Sequence, residues 1–245
     1  MLNAVQPSAN TLPLWQRSWG ARVWFYGSYR LVGCLLRLLY RVHIAGAEHI
    51  PAQGGVVLAS NHLSLLDTLL IPYSVMACTG VQVVWAPAKA ELFAVPLLGR
   101  IIASWGAFPV HRGRGDLRAM RRMMQHMQTE KVMLFPEGTR SQDGRLGEGK
   151  RAVGKLLYTA RPVVIPVAVW GTDRVLPAGR RFPRLRLPIG VRYGPPVDLQ
   201  RFYTLPDTKD TARAISAEVM GAIAVLAARS GATTPVSASA VAGRG

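Results

Sequence analysis

Short apolar runs alternate with helical patterns through most of the chain. Residues 56–60 read as a buried strand, and residues 64–77 continue as an apolar helical pattern. Further strands are predicted at 81–85, 107–110, 131–135, 163–169 and 185–191, and further helices at 89–104, 116–129, 149–160 and 208–229. This alternation predicts one α/β domain over residues 44–230, in which helices flank a central, mostly parallel or mixed sheet. Residues 1–13 and 231–245 fall outside the pattern and are predicted to be disordered.

The segment before the domain, residues 14–43, is dense in Trp, Tyr and Leu and has five arginines and no acid. Four of the arginines share about a third of the helical circumference, and the apolar residues lie elsewhere. The four are Arg22, Arg30, Arg37 and Arg41. The pattern predicts an interfacial membrane helix, or a helix pair broken near Gly27 or Gly33. The alternative is a helix whose apolar face packs on the domain core, but so many tryptophans favour the membrane.

The charge balance points to an anionic partner. The chain has 30 basic and 13 acidic residues, a formal net charge of +17, and 25 of the basic residues are arginine. Nucleic acid, an anionic membrane face and phosphate-bearing substrates all fit this charge. The two cysteines, Cys34 and Cys78, form no disulfide framework or metal motif, as expected in a reducing compartment.

Neither long apolar stretch has the continuity of a transmembrane helix. Residues 68–88 are divided by Pro72 and Gly80, and residues 92–110 are interrupted by Pro96 and Arg100. Residues 1–13 lack the pattern of a signal peptide. We therefore expect a peripheral, monotopic protein on the cytoplasmic face of the cell membrane.

The stretch Asn61 to Asp67, sequence NHLSLLD, follows the first predicted strand of the domain. Inside a regular helix, His62 and Asp67 would diverge by about 140°. The two side chains meet only if His62 lies on the turn before the helix and Asp67 lies in its first turn. An aspartate that orients an imidazole makes histidine a competent general base. Alternatively, Ser64 and Asp67 match a capping box, and Asp67 simply caps the helix.

Three further stretches lie at predicted strands. Two of them have polar residues directly after the strand, and the third has a proline within the strand. They are residues 106–112 (GAFPVHR), 135–141 (FPEGTRS) and 163–169 (VVIPVAV). Proline and glycine force a tight turn after Phe135. In the last stretch Pro166 lacks a ladder donor, which predicts an edge strand or a bulge.

The four stretches, in this order, resemble the motifs of the glycerolipid acyltransferases, and most closely those of the bacterial 1-acylglycerol-3-phosphate acyltransferases. The first resembles N-H-x-x-x-x-D of that family, and FPEGTRS matches its motif in full. The resemblance covers about residues 54–171. It departs from the family at His111, where an acid is frequent, and at Ala152, where many members have glycine.

The resemblance implies an enzyme that moves a fatty acyl chain from an acyl thioester to the sn-2 hydroxyl of 1-acylglycerol-3-phosphate, giving phosphatidic acid. It implies His62 as the general base and Asp67 as its orienting partner. The residues that it implies for binding substrate are Arg112, Glu137, Gly138, Thr139, Arg140 and Lys150, and those of the strand motif associated with the acyl chain are Ile165 and Pro166. The donor is acyl-CoA or acyl carrier protein, and no cofactor or metal is expected.

The residues themselves fit direct acyl transfer. The chain lacks a G-x-S-x-G elbow, and neither cysteine is near His62 in sequence. Attack by the acceptor hydroxyl without an acyl-enzyme is therefore the simpler mechanism.

Glycerol-3-phosphate and a lyso-aminolipid stay open as acceptors. A non-enzymatic lipid-binding protein would leave His62 and Glu137 without a task. A nucleic-acid-binding protein would need stacking aromatics along a basic groove, whereas the aromatics here gather near the N-terminus, so we expect no nucleic-acid partner.

Overall fold

The computed structural model describes residues 14–111, 117–176 and 182–230. The predictions of disorder for 1–13 and 231–245 concern residues outside this part of the chain. The strands are β1 (Arg41–Ala45), β2 (Val56–Ser60), β3 (Val84–Lys89), β4 (Ala107–Val110), β5 (Lys131–Leu134), β6 (Val163–Trp170) and β7 (Pro188–Tyr193). The helices are α1 (Trp19–Leu39), α2 (Asp67–Thr79), α3 (Pro96–Ser104), α4 (Leu117–Thr129), α5 (Arg151–Ala160), α6 (Thr172–Val175), α7 (Gln200–Tyr203) and α8 (Lys209–Arg229). Short 3₁₀ turns include Leu14–Gln16 and Ala90–Ala94.

The described strands form one mixed seven-stranded sheet in the order β1-β7-β6-β2-β5-β3-β4. Strands β6, β2, β5, β3 and β4 pair in parallel with one another. Strand β7 pairs antiparallel with β6 and parallel with β1. The predicted fold class is therefore confirmed. This order places β2 at the centre of the sheet, between β6 and β5.

Both faces of the sheet are covered, which explains why β2 is apolar throughout. Val57 and Ala59 face a core formed with α4, α5 and α8. Val56 and Leu58 face a second core formed with α1 and α2. Side chains alternate between the faces of a strand, so a strand that is covered on both faces reads as a continuous apolar run.

Helix α1 is continuous, so the predicted break near Gly27 or Gly33 is wrong. Gly33 lies inside the helix and packs against Tyr73 of α2. A Cβ at position 33 would lie 2.4 Å from the Tyr73 ring, so only glycine leaves room for this contact. The glycine thus permits a close approach between two helices. The helix ends at Leu39, and β1 begins at Arg41, inside the segment that was predicted to be helical. Sequence analysis missed this edge strand.

Pro166 was predicted to mark an edge strand or a bulge, and the edge strand is wrong because β6 lies in the interior of the sheet. Pro166 pairs in register with Ala59 of β2. On the other side the ladder to β7 begins only at Val167, and the Pro166 carbonyl accepts a hydrogen bond of 2.9 Å from the Gly194 amide beyond the end of β7. The missing proline N–H therefore removes no bond from either ladder.

Within the described residues, α8 is long and apolar enough to cross a membrane, judged by length and composition alone. Eight of its residues are buried, including Ile215, Val219 and Ile223, which belong to the core beneath α4 and α5. The length and hydropathy of α8 therefore agree with those of a core helix.

Candidate active site

The order of the sheet brings three loops together. Strands β6, β2 and β5 are neighbours and run in parallel, so their carboxyl ends share one edge of the sheet. The loop after β2 carries His62, the loop after β5 carries Glu137, and α6 begins with Thr172 directly after β6. Loops at the carboxyl edge of an α/β sheet are a frequent place for binding and catalysis.

His62 and Asp67 meet across the turn between β2 and α2. The Nδ1 atom of His62 lies 2.9 Å from Oδ2 of Asp67. The imidazole side chain is 12% exposed and the carboxylate is fully buried. Because a buried carboxylate accepts hydrogen bonds, the proton of the neutral ring is assigned to Nδ1. In the part of the chain that the structure describes, Nε2 has no hydrogen-bond partner and keeps its lone pair.

The carboxylate of Asp67 is held by other donors as well. Oδ2 accepts the backbone N–H groups of Leu63 at 2.7 Å and Ser64 at 2.8 Å. Oδ1 accepts the hydroxyl of Thr172 at 2.5 Å. The contact with Ser64 is the one expected from a capping box. The helix begins at Asp67 itself, with Leu66 as its N-cap, so Ser64 and Asp67 form only this half of the predicted capping box. The same carboxylate thus braces the turn and contacts the histidine.

The loop after β5 fixes His62 from the opposite side. The Phe135 ring stacks on the imidazole with 3.8 Å between centroids and 13° between planes. The amide of His62 donates to Oε1 of Glu137 at 3.2 Å, and its carbonyl accepts from the Ser141 amide at 2.8 Å. The backbone and the ring of the histidine are thus both held, which leaves the imidazole little freedom to rotate.

Glu137 is buried, with 6% of its surface exposed, and both of its oxygens accept backbone N–H groups. Oε2 takes the Gly147 amide at 3.0 Å, while Oε1 takes the amide of His62. Burial raises the pKa of the Glu137 carboxyl, and the two N–H donors act in the opposite direction. These contacts make Glu137 a brace between the two loops.

Two cationic side chains flank this brace. Arg140 is half-buried and precedes Ser141, whose amide contacts the His62 carbonyl; no ion pair to its guanidinium is found among the described residues. Lys150 is exposed, and its amide donates to the Pro136 carbonyl at 2.8 Å. Its stem passes over Gly138, where a Cβ would lie 3.4 Å from Cγ of Lys150. Gly138 has a φ of 71°, a conformation that favours glycine, and the turn exposes Thr139 beside it.

Three predicted site residues are not part of the described arrangement. Arg112 falls outside the described residues. Ile165 and Pro166 are buried inside β6, where Ile165 belongs to the core formed with α1 and α2. The described ranges contain no group of three or more His, Cys, Asp or Glu side chains placed to hold a metal ion.

Sequence analysis missed the contributions of Thr172 and Phe135. Thr172 is separated from Asp67 by 105 positions, yet its side chain is fully buried and aimed at the carboxylate. The available signal was its place directly after a strand, which is where His62 and Glu137 also lie. Phe135 was included in a motif, but its stacking on His62 depends on the adjacency of β2 and β5.

Comparisons with known proteins point to one family. The acyltransferase family model matches residues 41–170. A chloroplastic 1-acyl-sn-glycerol-3-phosphate acyltransferase of Arabidopsis thaliana is 31% identical over 144 residues, which cover 57% of this chain and 39% of that protein. The alpha form of the human 1-acyl-sn-glycerol-3-phosphate acyltransferase is 33% identical over 148 residues, covering 57% of this chain and 50% of the relative.

A solved structure shares the fold. The crystal structure of the 1-acyl-sn-glycerophosphate (LPA) acyltransferase from Thermotoga maritima aligns with a TM-score of 0.64 and 23% identity, covering 85% of this chain and 82% of that one. The chain spans about 40 to 60% of the length of the first curated relatives that it matches. Since the family model covers residues 41–170, which are more than half of the chain, this chain belongs to the acyltransferase family.

Proposed function

We propose that this protein transfers a fatty acyl chain from an acyl thioester to the sn-2 hydroxyl of 1-acylglycerol-3-phosphate, giving phosphatidic acid. Family membership supports acyl transfer, and several relatives are named for 1-acyl-sn-glycerol-3-phosphate as the acceptor. The observation that carries the proposal is the contact of 2.9 Å between His62 Nδ1 and Asp67 Oδ2. That contact leaves Nε2 available as a base.

In the proposed reaction, Nε2 of His62 removes the proton from the acceptor hydroxyl as its oxygen attacks the thioester carbonyl. The Asp67 carboxylate stabilises the imidazolium that forms. The tetrahedral intermediate then collapses, the carbon–sulfur bond breaks, and the thiolate leaves with the proton from Nε2. The products are the new ester and a free thiol, and His62 returns to its neutral form.

Direct transfer is supported by the lack of a nucleophile beside His62 among the described side chains. The hydroxyl of Ser64 is fully buried and donates to the Leu176 carbonyl at 3.0 Å. Cys78 lies at the far end of α2, about 16 Å along the helix axis from Asp67. Cys34 is an exposed residue of α1. No acyl-enzyme step is therefore included in the proposal.

The acceptor phosphate is proposed to bind between Arg140 and Lys150, with Arg112 as a third cation. Arg140 directly precedes Ser141, whose amide contacts the His62 carbonyl, and the stem of Lys150 passes over Gly138 of the same turn. Guanidinium groups bind phosphate with two parallel hydrogen bonds. A phosphate held there would keep the neighbouring glycerol hydroxyl close to the imidazole.

We also propose that the protein acts as a peripheral, monotopic enzyme on an anionic membrane, at its cytoplasmic face. Helix α1 exposes three apolar aromatic residues, Trp19, Trp24 and Tyr26, and has no acidic residue. Its exposed arginines suit an anionic lipid surface. The acyl donor, acyl-CoA or acyl carrier protein, would then approach from the aqueous side.

The first test is His62→Ala. Loss of a positioned base is expected to lower kcat about 10²–10⁴-fold. Free thiol release from acyl-CoA, measured with and without 1-acylglycerol-3-phosphate, checks it. The exposed His43 on β1 offers a matched control, since His43→Ala removes a histidine far from the proposed site.

The same assay separates the acceptors and donors. Glycerol-3-phosphate and a lyso-aminolipid replace the acceptor in parallel reactions, and acyl carrier protein replaces coenzyme A. Retention of most of the wild-type rate by folded His62→Ala would contradict the base assignment. A strong preference for another acceptor would reassign the substrate but leave acyl transfer in place.

Thr172→Val tests the support of Asp67. Valine has the same shape but lacks the hydroxyl that donates to Oδ1, so the carboxylate loses a buried, charge-assisted hydrogen bond. We expect kcat to fall about tenfold, with little change in KM. The fall is expected because a carboxylate that is held less firmly orients the imidazole less well.

Thr172→Ser keeps the hydroxyl and should restore kcat. Loss of thermal stability in Thr172→Val with an unchanged kcat would limit Thr172 to a purely structural role.

Arg140→Gln tests the phosphate site. Removing one charge-assisted contact should raise KM for 1-acylglycerol-3-phosphate about 10–100-fold, because such a hydrogen bond contributes about 1.5–3 kcal/mol. The rate with the dephosphorylated 1-acylglycerol should change little. Arg145→Gln is a matched control in the same loop, because Arg145 already has Asp143 3.8 Å away as a partner. Equal effects of the two substitutions would remove Arg140 from the site.

A further inference from the structure

The segment between β3 and β4 exposes a group of large apolar side chains that the domain core does not use. Their exposed fractions range from 37% for Leu92 to 72% for Leu97. The residues are Leu92, Val95, Leu97, Leu98 and Ile101. A contiguous exposed apolar surface is typical of an interaction site, because soluble proteins rarely leave one uncovered. We call these five residues the α3 patch.

Within α3 the patch lies on one side of the helix. At about 100° per residue, Leu97, Leu98 and Ile101 fall within about 120°. Ser104 falls on the same side, and its hydroxyl accepts a hydrogen bond of 2.9 Å from Nε1 of Trp24 in α1. The patch is therefore joined to α1 at its carboxyl-terminal end.

Helix α1 has an exposed apolar stripe of its own. Four exposed residues fall within about 60° of the helical circumference. They are Trp24, Leu31, Leu35 and Leu38. The buried side of α1, with Phe25 and Leu36, lies about 100° from this stripe. The stripe is thus a separate surface, and it begins at the tryptophan that contacts Ser104.

The position of α1 makes the combined surface extensive. The helix begins beside Ser104, which precedes the edge strand β4, and ends before the other edge strand, β1. Its 21 residues span about 30 Å, which matches the width of about 29 Å of seven paired strands. The apolar stripe itself, from Trp24 to Leu38, extends over about 21 Å of this width and meets the α3 patch at one end.

The charges beside this surface favour one occupant. Arg22, Arg30 and Arg37 are exposed on α1, and Arg100 is exposed on α3. Neither helix contains an acidic residue, while the exposed Glu91 adjoins Leu92 in the turn before α3. Apolar side chains bordered by arginines fit a lipid layer with anionic headgroups, whereas a second copy of this basic chain would bring like charges together.

We propose that the α3 patch is a second lipid-inserting element, which works with the stripe on α1 to seat the protein on an anionic lipid surface. The proposal rests on the proposed function, in which acceptor and product are lipids. The segment starts at the carboxyl end of β3, on the sheet edge that carries His62. Lipid seated on the α3 patch thus borders the site, and an acceptor reaches His62 without leaving the membrane surface.

The test replaces Leu97, Leu98 and Ile101 together by glutamine. Binding is measured with vesicles of phosphatidylglycerol and phosphatidylcholine in equal amounts. Because the side chains lose their apolar burial in lipid, vesicle affinity should fall about 100-fold. The control replaces Phe182, Leu205 and Val225 by glutamine. These three residues are 81%, 46% and 53% exposed and lie outside α1 and α3. This control should change affinity less than about threefold.

Activity separates this inference from the proposed function. The α3 variant should keep the wild-type rate with a short-chain, monomeric 1-acylglycerol-3-phosphate and lose rate with acceptor presented in vesicles. A wild-type protein that is inactive on the monomeric acceptor would overturn the proposed function, while vesicle binding would still decide the role of the α3 patch.

A direct reading of insertion uses a dye on Leu97→Cys, with Cys34 and Cys78 replaced by serine. An environment-sensitive fluorophore at position 97 should shift to the blue with vesicles, and the same fluorophore on Leu205→Cys should not. Unchanged vesicle affinity of the triple variant would overturn the proposal. The proposal would also be overturned if the wild-type protein sedimented as a dimer and the triple variant as a monomer, with no change in vesicle binding.

Discussion

The arrangement around His62 depends on one buried carboxylate. Asp67 is fully buried and carries negative charge into the protein interior, which is costly unless donors surround it. Two chain segments supply those donors: the turn after β2 supplies two amides and the imidazole, and the segment after β6 supplies the Thr172 hydroxyl. Satisfying the carboxylate and orienting the histidine are therefore the same structural task.

The sheet order makes this convergence possible. Because β2 lies between β6 and β5, its loop has neighbours on both sides. Thr172 reaches Asp67 from one side, and Phe135, Glu137 and Ser141 hold His62 from the other. The imidazole is left with one unoccupied nitrogen, Nε2, within this described environment. A base that is already oriented needs no rearrangement when substrate binds, which favours the proposed transfer.

The fold and the pairing of His62 with Asp67 were predictable from local sequence. Alternating apolar runs and helical patterns indicate an α/β sheet, and the five-residue spacing requires a bend between the two side chains. Contacts between distant segments were not predictable in the same way. Nothing near Thr172 indicates that its hydroxyl faces Asp67, and the brace formed by Glu137 depends on which strands are neighbours. The interior position of Pro166 likewise depends on where the β7 ladder starts.

The central claim is that Asp67 keeps the proton of neutral His62 on Nδ1 and leaves Nε2 as the base. Nitrogen-15 NMR of the histidine rings measures this directly, with His62→Gln used to assign the signals. At a pH where the imidazole is neutral, the account predicts a protonated Nδ1 and an unprotonated Nε2 in the folded wild-type protein. A proton on Nε2 instead, with Nδ1 unprotonated, would contradict it.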